Sequence, residues 1–400
     1  MTGDPAAQPK FLSGNEAVAW GARLARPHVI AAYPITPQTT VIERLADWVA
    51  EGSLASEFLH VESEHSALSA CMGASALGAR TFTATSSQGL LYMAECLTYA
   101  SGGRFPIVMM NANRALALPW NIYGDQQDSL ALVSSGWIQL YIEDAQEALD
   151  LTLQAFAIAE HPEVLTPVML NLDGFVLTHT YEPVAVPSQE AVDAFLAPFE
   201  TPNKMSLTHP VNMGFTAGPA HYTEFKVQQH RAMKNALKVA ADVGRDFARH
   251  FGRDHGGAVV PYLCEDAEVV LVTLGSVAGT VREVVDELRS RGQAVGMLKL
   301  RILRPFPERH LLQAIGRCKS VGVLEKDVSF GYQGAVFSDV AAALSGQGSK
   351  PMLRNFVAGL GGRDISRDDV RAMFAMLQSA CDQTGESRLH FVGVEESTHA

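Results

Sequence analysis

Four hundred residues exceed what one hydrophobic core of ~100–200 residues organises, so two domains with a connecting segment are expected. Hydrophobic residues make up 47% of the chain and charged residues 18%, which supplies ample interior and excludes wholesale disorder. With 31 basic against 43 acidic residues the formal charge is −12; a polyphosphate is repelled, and no nucleic-acid partner is expected.

The opening residues MTGDPAAQPK are polar and contain proline, unlike a secretory leader, and no apolar stretch reaches the ~18 residues of a membrane span. Cys71, Cys96, Cys264, Cys318 and Cys381 stand far apart with no CxxC pair. That spacing fits a reduced, cytoplasmic chain that holds no conventional iron–sulfur cluster by itself, because clusters need grouped thiolates.

Val29–Tyr33 reads as a strand stopped by Pro34-Ile35-Thr36-Pro37, where Thr36 has N-cap chemistry and Pro37 suits a first helical position. Ile42, Leu45, Ala46 and Val49 then recur at helical spacing. Phe58–Val61 is a second strand, and Glu62-Ser63-Glu64-His65 opens an Ala-rich helix that runs to Gly78. Thr81–Thr85 is a third, followed by the turn Ser86-Ser87-Gln88-Gly89 and a helix through Leu90, Leu91, Met93 and Ala94. Pro106–Asn111 is a continuous apolar strand of the kind found in buried parallel sheets. Asp144 with Glu147 three positions on predicts an acidic capping box for a helix burying Leu149, Leu153 and Phe156. Repeated strand–turn–helix units predict a doubly wound α/β layer, whose ligands bind beyond the carboxyl ends of the strands. Tyr33–Thr36, Thr85–Gln88 and Asn111–Arg114 lie at such ends.

Between about His179 and Leu263 the six prolines from Pro183 to Pro219 break the alternation, and only Tyr222–Phe251 reads as a long helix, so this stretch is expected to wrap over the first domain or a partner. A second α/β unit begins with the strand at Val269–Leu274 and a helix carrying Val281, Val284, Val285 and Leu288. Ala294–Leu300 and Ser320–Leu324 add strands, and Ser366-Arg367-Asp368-Asp369 caps a last helix. The expected division is 1–178, 179–263 and 264–385, with a polar, frayed tail over 386–400.

Each residue that could carry chemistry has a plainer explanation. A carboxylate at a helix start, such as Glu64, is favoured by the helix dipole alone. Thr36 is accounted for as a cap, and Arg114 by a salt bridge to Asp125 or Asp128, although a cation just past a buried strand also suits a substrate carboxylate. Asp125 and Asp128 resemble half a metal site; without a third ligand a solvated or salt-bridged loop is the reading preferred. Gly331, Gly334, Gly359, Gly361 and Gly362 read as tight turns, since neither P-loop nor dinucleotide spacing occurs. The thirteen histidines form no HxxxH or HExxH pattern, so no zinc is expected.

In order, the signals are more specific. Tyr33-Pro34-Ile35-Thr36-Pro37, Glu62-Ser63-Glu64-His65, the run Thr81–Gly89, Asn113-Arg114-Ala115-Leu116, Gly124-Asp125 with Asp128, Ser135-Gly136-Trp137, Asp173-Gly174-Phe175 and the run Phe356–Gly362 together resemble the α subunit of the 2-oxoacid:ferredoxin oxidoreductases, across nearly the whole chain. The resemblance implies an α/β fold with a thiamine diphosphate pyrimidine-type domain at 1–178 and a transketolase C-terminal-like domain at 264–385.

It also implies a complex with a β subunit that carries the diphosphate and its Mg2+, and with γ and ferredoxin-like δ subunits, the [4Fe-4S] clusters lying on partner subunits. A flavin or NAD subunit would be a further partner, and ferredoxin or NAD the terminal acceptor. This chain lacks a GDG…N diphosphate motif, in keeping with that division. Glu64 would bind the aminopyrimidine ring, where a carboxylate on N1′ favours the tautomer that removes the thiazolium C2 proton. Arg114 would engage the 2-oxoacid carboxylate and Thr36 a substrate oxygen, both at the catalytic centre.

The implied reaction is oxidative decarboxylation to an acyl-coenzyme A and carbon dioxide. Pyruvate and branched or aryl 2-oxoacids such as phenylglyoxylate are the expected substrates, because Leu116, Leu118, Trp120 and Ile122 read as an apolar side-chain pocket. The alternatives are a transketolase-like carboligase subunit or a non-catalytic scaffold.

Overall fold

The computed structural model describes residues 7–208, 210–315, 318–346, 351–379 and 388–395. Two sheets organise them. The first has seven strands in the spatial order Ile302–Arg304, Ile138–Tyr141, Val168–Asp173, Val108–Asn113, Thr81–Thr85, Val29–Ala32 and Glu57–His60. All pair in parallel except Ile302–Arg304, which runs antiparallel along Ile138–Tyr141. The second has six, in the order Leu389–Phe391, Met352–Val357, Ser320–Glu325, Val269–Thr273, Val295–Leu300 and the antiparallel Val259–Tyr262. The central strands are covered on both faces, which is why Val108–Asn113 and Val168–Asp173 are buried at every position and read as unbroken apolar runs before their polar ends. The chain is therefore the doubly wound α/β protein its periodicity predicts.

Helix boundaries follow local chemistry where a cap is strong. Ser13 and Glu16 close a reciprocal capping box on the helix Gly14–Ala25. Ser366 and Asp369 do the same, with hydrogen bonds of 2.8 Å and 3.1 Å, at Arg367–Ser379. The apolar stripe of Val277–Ser290 is buried at Val281, Val284, Val285 and Leu288 as its spacing predicts.

Several expectations are corrected. Thr36 is not a cap and Pro37 is not a first helical residue: the Gln38 amide bonds the Ile35 carbonyl at 3.0 Å, which makes residues 35–38 a turn, and the helix begins at Thr39. Asp144 does cap the helix Ala145–Glu160 by accepting from the Glu147 amide at 2.7 Å. Its box stays open, because the Glu147 carboxylate instead takes the Glu143 amide and Lys299.

Within the stretch read as a wrapping segment, Tyr181–Val186 forms an antiparallel ribbon with Gln8–Ser13, and the long helix covers Pro219–Phe251. The tail read as frayed contains the strand Leu389–Phe391, paired with Met352–Val357 through main-chain hydrogen bonds that polar composition does not reveal. The rest of the predicted tail, 386–387 and 396–400, lies outside the described residues, as does Cys381. The other four cysteines are free and buried.

Buried ion pairs join the two sheets. Lys299 of the second reaches Glu143 at 2.7 Å and Glu147 at 3.0 Å, and Arg282 reaches Glu143 at 2.6 Å. Asp173, at the end of its strand, accepts from the Ser276 amide at 2.9 Å and pairs with Lys326 at 3.2 Å. Burial pushes the Glu143 carboxyl up, but Arg282 and Lys299 outweigh burial and hold it below its ordinary value of 4.5. Burial likewise acts on Asp173, where Lys326 and Ser276 prevail and hold it below 3.8.

A carboxylate depressed in the folded state contributes stability above its unfolded pKa, and that contribution is lost as pH falls through the lower folded value. The junction is therefore expected to weaken on acidification below about pH 4.5, the region in which these carboxyls titrate. Thermal unfolding across that range, compared with a Glu143→Gln, Asp173→Asn double variant, measures it: the variant should start less stable and lose less on acidification. An unchanged pH slope would remove both groups from the account.

Candidate active site

The parallel strands of the first sheet deliver their C-terminal ends to one rim, and the polar residues cluster there. The edge strand Glu57–His60 leads, after a short loop, into the helix Glu64–Ala76. Ser63 caps that helix by accepting the Ser66 amide at 3.1 Å, which leaves Glu64 as its first residue.

The Glu64 side chain is 8% exposed and accepts no hydrogen bond or ion pair from the described residues. Its carboxylate lies across the helix that follows Thr85. A Cβ at Gly89 would sit 2.6 Å from Glu64 Oε1 and 2.8 Å from Thr85 Oγ1, so only glycine lets the carboxylate approach. Thr85 Oγ1 is itself buried without a hydrogen-bond partner. A buried carboxylate with no donor is costly unless a ligand supplies one, so this residue fits a partner carrying a ring N–H.

Arg114 follows the strand Val108–Asn113 and is 6% exposed. Its guanidinium pairs with neither Asp125 nor Asp128: Nη1 donates to the Thr36 carbonyl at 2.8 Å and Nε to the Asn121 carbonyl at 3.3 Å. Trp120 lies 5.8 Å from the guanidinium carbon. Burial pulls the Arg114 pKa down, partly offset by Asp128, yet a guanidinium stays charged. Among the described residues Nη2 has no partner, so a charged donor remains unused beside Thr36, which is solvent-exposed. Thr36 and Arg114 are thus brought together across 78 residues of sequence.

Asp125 and Asp128 depart from the solvated or salt-bridged loop expected of them, being 1% and 0% exposed. Asp125 accepts from the Gln127 amide at 3.1 Å and from the Gly361 amide of the second sheet's unit at 3.0 Å. Asp128 is held by five N–H donors from 2.7 to 3.2 Å. Burial pushes its carboxyl up to about 6 against those donors. Among the described residues no group of three His, Cys, Asp or Glu is placed to hold a metal ion.

Gly359, Gly361 and Gly362 do turn with positive φ, and Gly361 also accepts from Asn121 Nδ2 at 3.0 Å, so that turn docks on the 121–125 loop. The expected apolar pocket does not form within this chain: Leu118 is 88% and Trp120 69% exposed, on a loop that projects outward.

Asn111, Asn113 and the left-handed Ser87 (φ 51°), which organise this rim, were placed by the sequence at strand ends but given no role. The Asn-Ala-Asn interruption of an apolar strand was the available signal.

Family models match most of the chain. One described as pyruvate flavodoxin/ferredoxin oxidoreductase, thiamine diphosphate-binding, matches residues 20–245, and one described as pyruvate:ferredoxin oxidoreductase core domain II matches 267–370. Pyruvate synthase subunit PorA of Methanothermobacter thermautotrophicus is 49% identical over 89% of this chain and 92% of its own length. Ketoisovalerate oxidoreductase subunit VorA of Pyrococcus abyssi is 45% identical over 91% and 92%.

Among solved structures, the fold is similar to a 2-oxoglutarate:ferredoxin oxidoreductase from Magnetococcus marinus with 2-oxoglutarate, coenzyme A and succinyl-CoA bound, at TM-score 0.74 and 21% identity. That match covers 94% of this chain, and the chain spans 65% of that one. Among described residues no helix is long and apolar enough to cross a membrane.

Proposed function

We propose, for a chain that belongs to the pyruvate:ferredoxin oxidoreductase family, that Glu64 receives the aminopyrimidine ring of thiamine diphosphate while Arg114 and Thr36 receive the 2-oxoacid. The chain is the α subunit of a 2-oxoacid:ferredoxin oxidoreductase. The observation that carries the site reading is a pair of groups on one rim: among the described residues, a buried carboxylate without a donor and a buried guanidinium without a carboxylate.

When bound, thiamine diphosphate supplies a nucleophilic carbon that adds to the keto group and takes up the electrons left by decarboxylation. Glu64 would hold a proton at the ring nitrogen it faces, and its shielding from water strengthens that hydrogen bond. The carbonyls of Thr36 and Asn121 fix the plane of the Arg114 guanidinium, so its free Nη2 edge would orient the substrate carboxylate at little entropic cost. The Thr36 hydroxyl would serve as a neutral donor to a substrate oxygen.

The diphosphate and Mg2+ on a β subunit, [4Fe-4S] clusters on partner subunits, γ and ferredoxin-like δ subunits, a further flavin or NAD subunit and a cytoplasmic location complete the proposal. Coenzyme A as acyl acceptor is supported by the ligands of the Magnetococcus neighbour. For the substrate, pyruvate and branched 2-oxoacids are favoured, because relatives of similar identity carry both names.

The test is the reconstituted complex with a panel of 2-oxoacids, read by carbon dioxide release and viologen reduction. Coenzyme A-dependent dye reduction with pyruvate or a branched 2-oxoacid is expected. Carbon–carbon transfer without dye reduction would replace this reading by a carboligase, and no turnover of any 2-oxoacid by it would leave a scaffold.

A further inference from the structure

Asp128 stands apart from the machinery named so far, yet it ties the strand end that carries Arg114 to the Ser87 turn. Its Oδ2 accepts from the Ser87 amide at 3.0 Å, Asn111 Nδ2 at 3.2 Å and the Arg114 amide at 3.2 Å. Its Oδ1 accepts from Asn113 Nδ2 and the Ser129 amide, each at 2.7 Å. Among the described residues no lysine or arginine forms an ion pair with it, although it is wholly buried. Ser87 extends the web, since its Oγ donates to the Ala115 carbonyl at 2.7 Å, and two residues on Gly89 makes the close approach to Glu64.

Five donors converge on two oxygens, a pattern that only an ionised carboxylate satisfies. An amide of the same shape would turn an NH2 group against two or three N–H donors and leave them unmet, at ~1–3 kcal/mol for each buried polar group. Fold stability alone does not call for this arrangement, because a buried charge without a counter-ion is expensive and well-packed apolar groups often replace buried charges at no loss.

We propose that Asp128 is a positioning residue for the 2-oxoacid clamp: by binding the Arg114 main chain and the Ser87 turn together, it fixes where the Arg114 guanidinium sits relative to the Glu64 carboxylate. This rests on the reading of Arg114 as the carboxylate clamp. It makes Asp128 and Arg114 one energetic unit for substrate binding, so their substitutions are non-additive.

The experiment uses the reconstituted complex with Arg114→Ala, Asp128→Asn and the double variant, measuring kcat and the 2-oxoacid KM by viologen reduction, with thermal unfolding alongside. Asp128→Asn is expected to raise KM by roughly tenfold, with a smaller effect on kcat, and to add almost nothing on the Arg114→Ala background. Multiplying effects in the double variant would overturn the proposal, as would a lowered unfolding midpoint with KM unmoved.

If Asp128→Asn does not assemble, Asn113→Ala removes one donor from Oδ1 and keeps the charge. The same non-additivity at smaller scale is then expected, and simple additivity counts against the proposal. An Arg114→Ala variant with unchanged KM would sink the clamp itself and this inference with it, whereas a raised KM there with additive partners sinks only the role of Asp128.

Discussion

Glu64→Gln is expected to cut turnover of the assembled complex by ~10²–10⁴-fold, the range that general acid–base catalysis contributes. The amide keeps the volume and one acceptor, but it cannot take a proton, and its NH2 presents a donor where the ring nitrogen needs an acceptor. Two magnitudes separate this from the bland alternative. As a mere helix-start acid, Glu64 would be worth ~0.3–1 kcal/mol of stability and nothing in rate. Because its side chain has no hydrogen-bond partner among the described residues and its buried charge is itself costly, the substitution is expected to leave the unfolding midpoint unchanged or to raise it. Steady-state turnover and thermal unfolding of the same preparation decide it. Near-normal turnover would refute the assignment, and a large loss of both would show a structural role instead.

Arg114→Ala is expected to raise the 2-oxoacid KM and to lower kcat/KM by ~10²-fold, as for loss of a charge-assisted hydrogen bond worth ~3 kcal/mol. Arg114→Lys should recover little, because a lysine offers no planar fork to span the carbonyls of Thr36 and Asn121 while presenting a free edge. A drop in stability with kinetics intact would mean that the arginine serves only to staple Thr36 to the strand end.

Local chemistry announced much of the fold. Strand cores such as Thr81–Thr85, the buried stripe at Val281–Leu288 and the cap at Ser366 are decided by residues within four positions of one another, so periodicity and side-chain type suffice. Where a cap competed with a turn, the reading failed: Thr36 has the right hydroxyl, but the turn at Ile35–Gln38 delays the helix to Thr39. The strand Ile302–Arg304 was invisible as a member of the first sheet, because its partner Ile138–Tyr141 lies more than 150 residues away.

The site divides in the same way. That Glu64 opens a helix, and that Thr36 and Arg114 lie at strand ends, could be told from the order of residues, since helix starts and strand ends leave marks within a turn of themselves. Three-dimensional packing alone determined that the Glu64 carboxylate is shielded over Gly89, that Arg114 spends its hydrogen bonds on carbonyls, and that Asp128 is a buried hub rather than a solvated loop. Burial and hydrogen-bond partnership belong to contacts across distant segments, such as Asp125 with Gly361, and the chemistry of a side chain follows from those neighbours more than from its own identity.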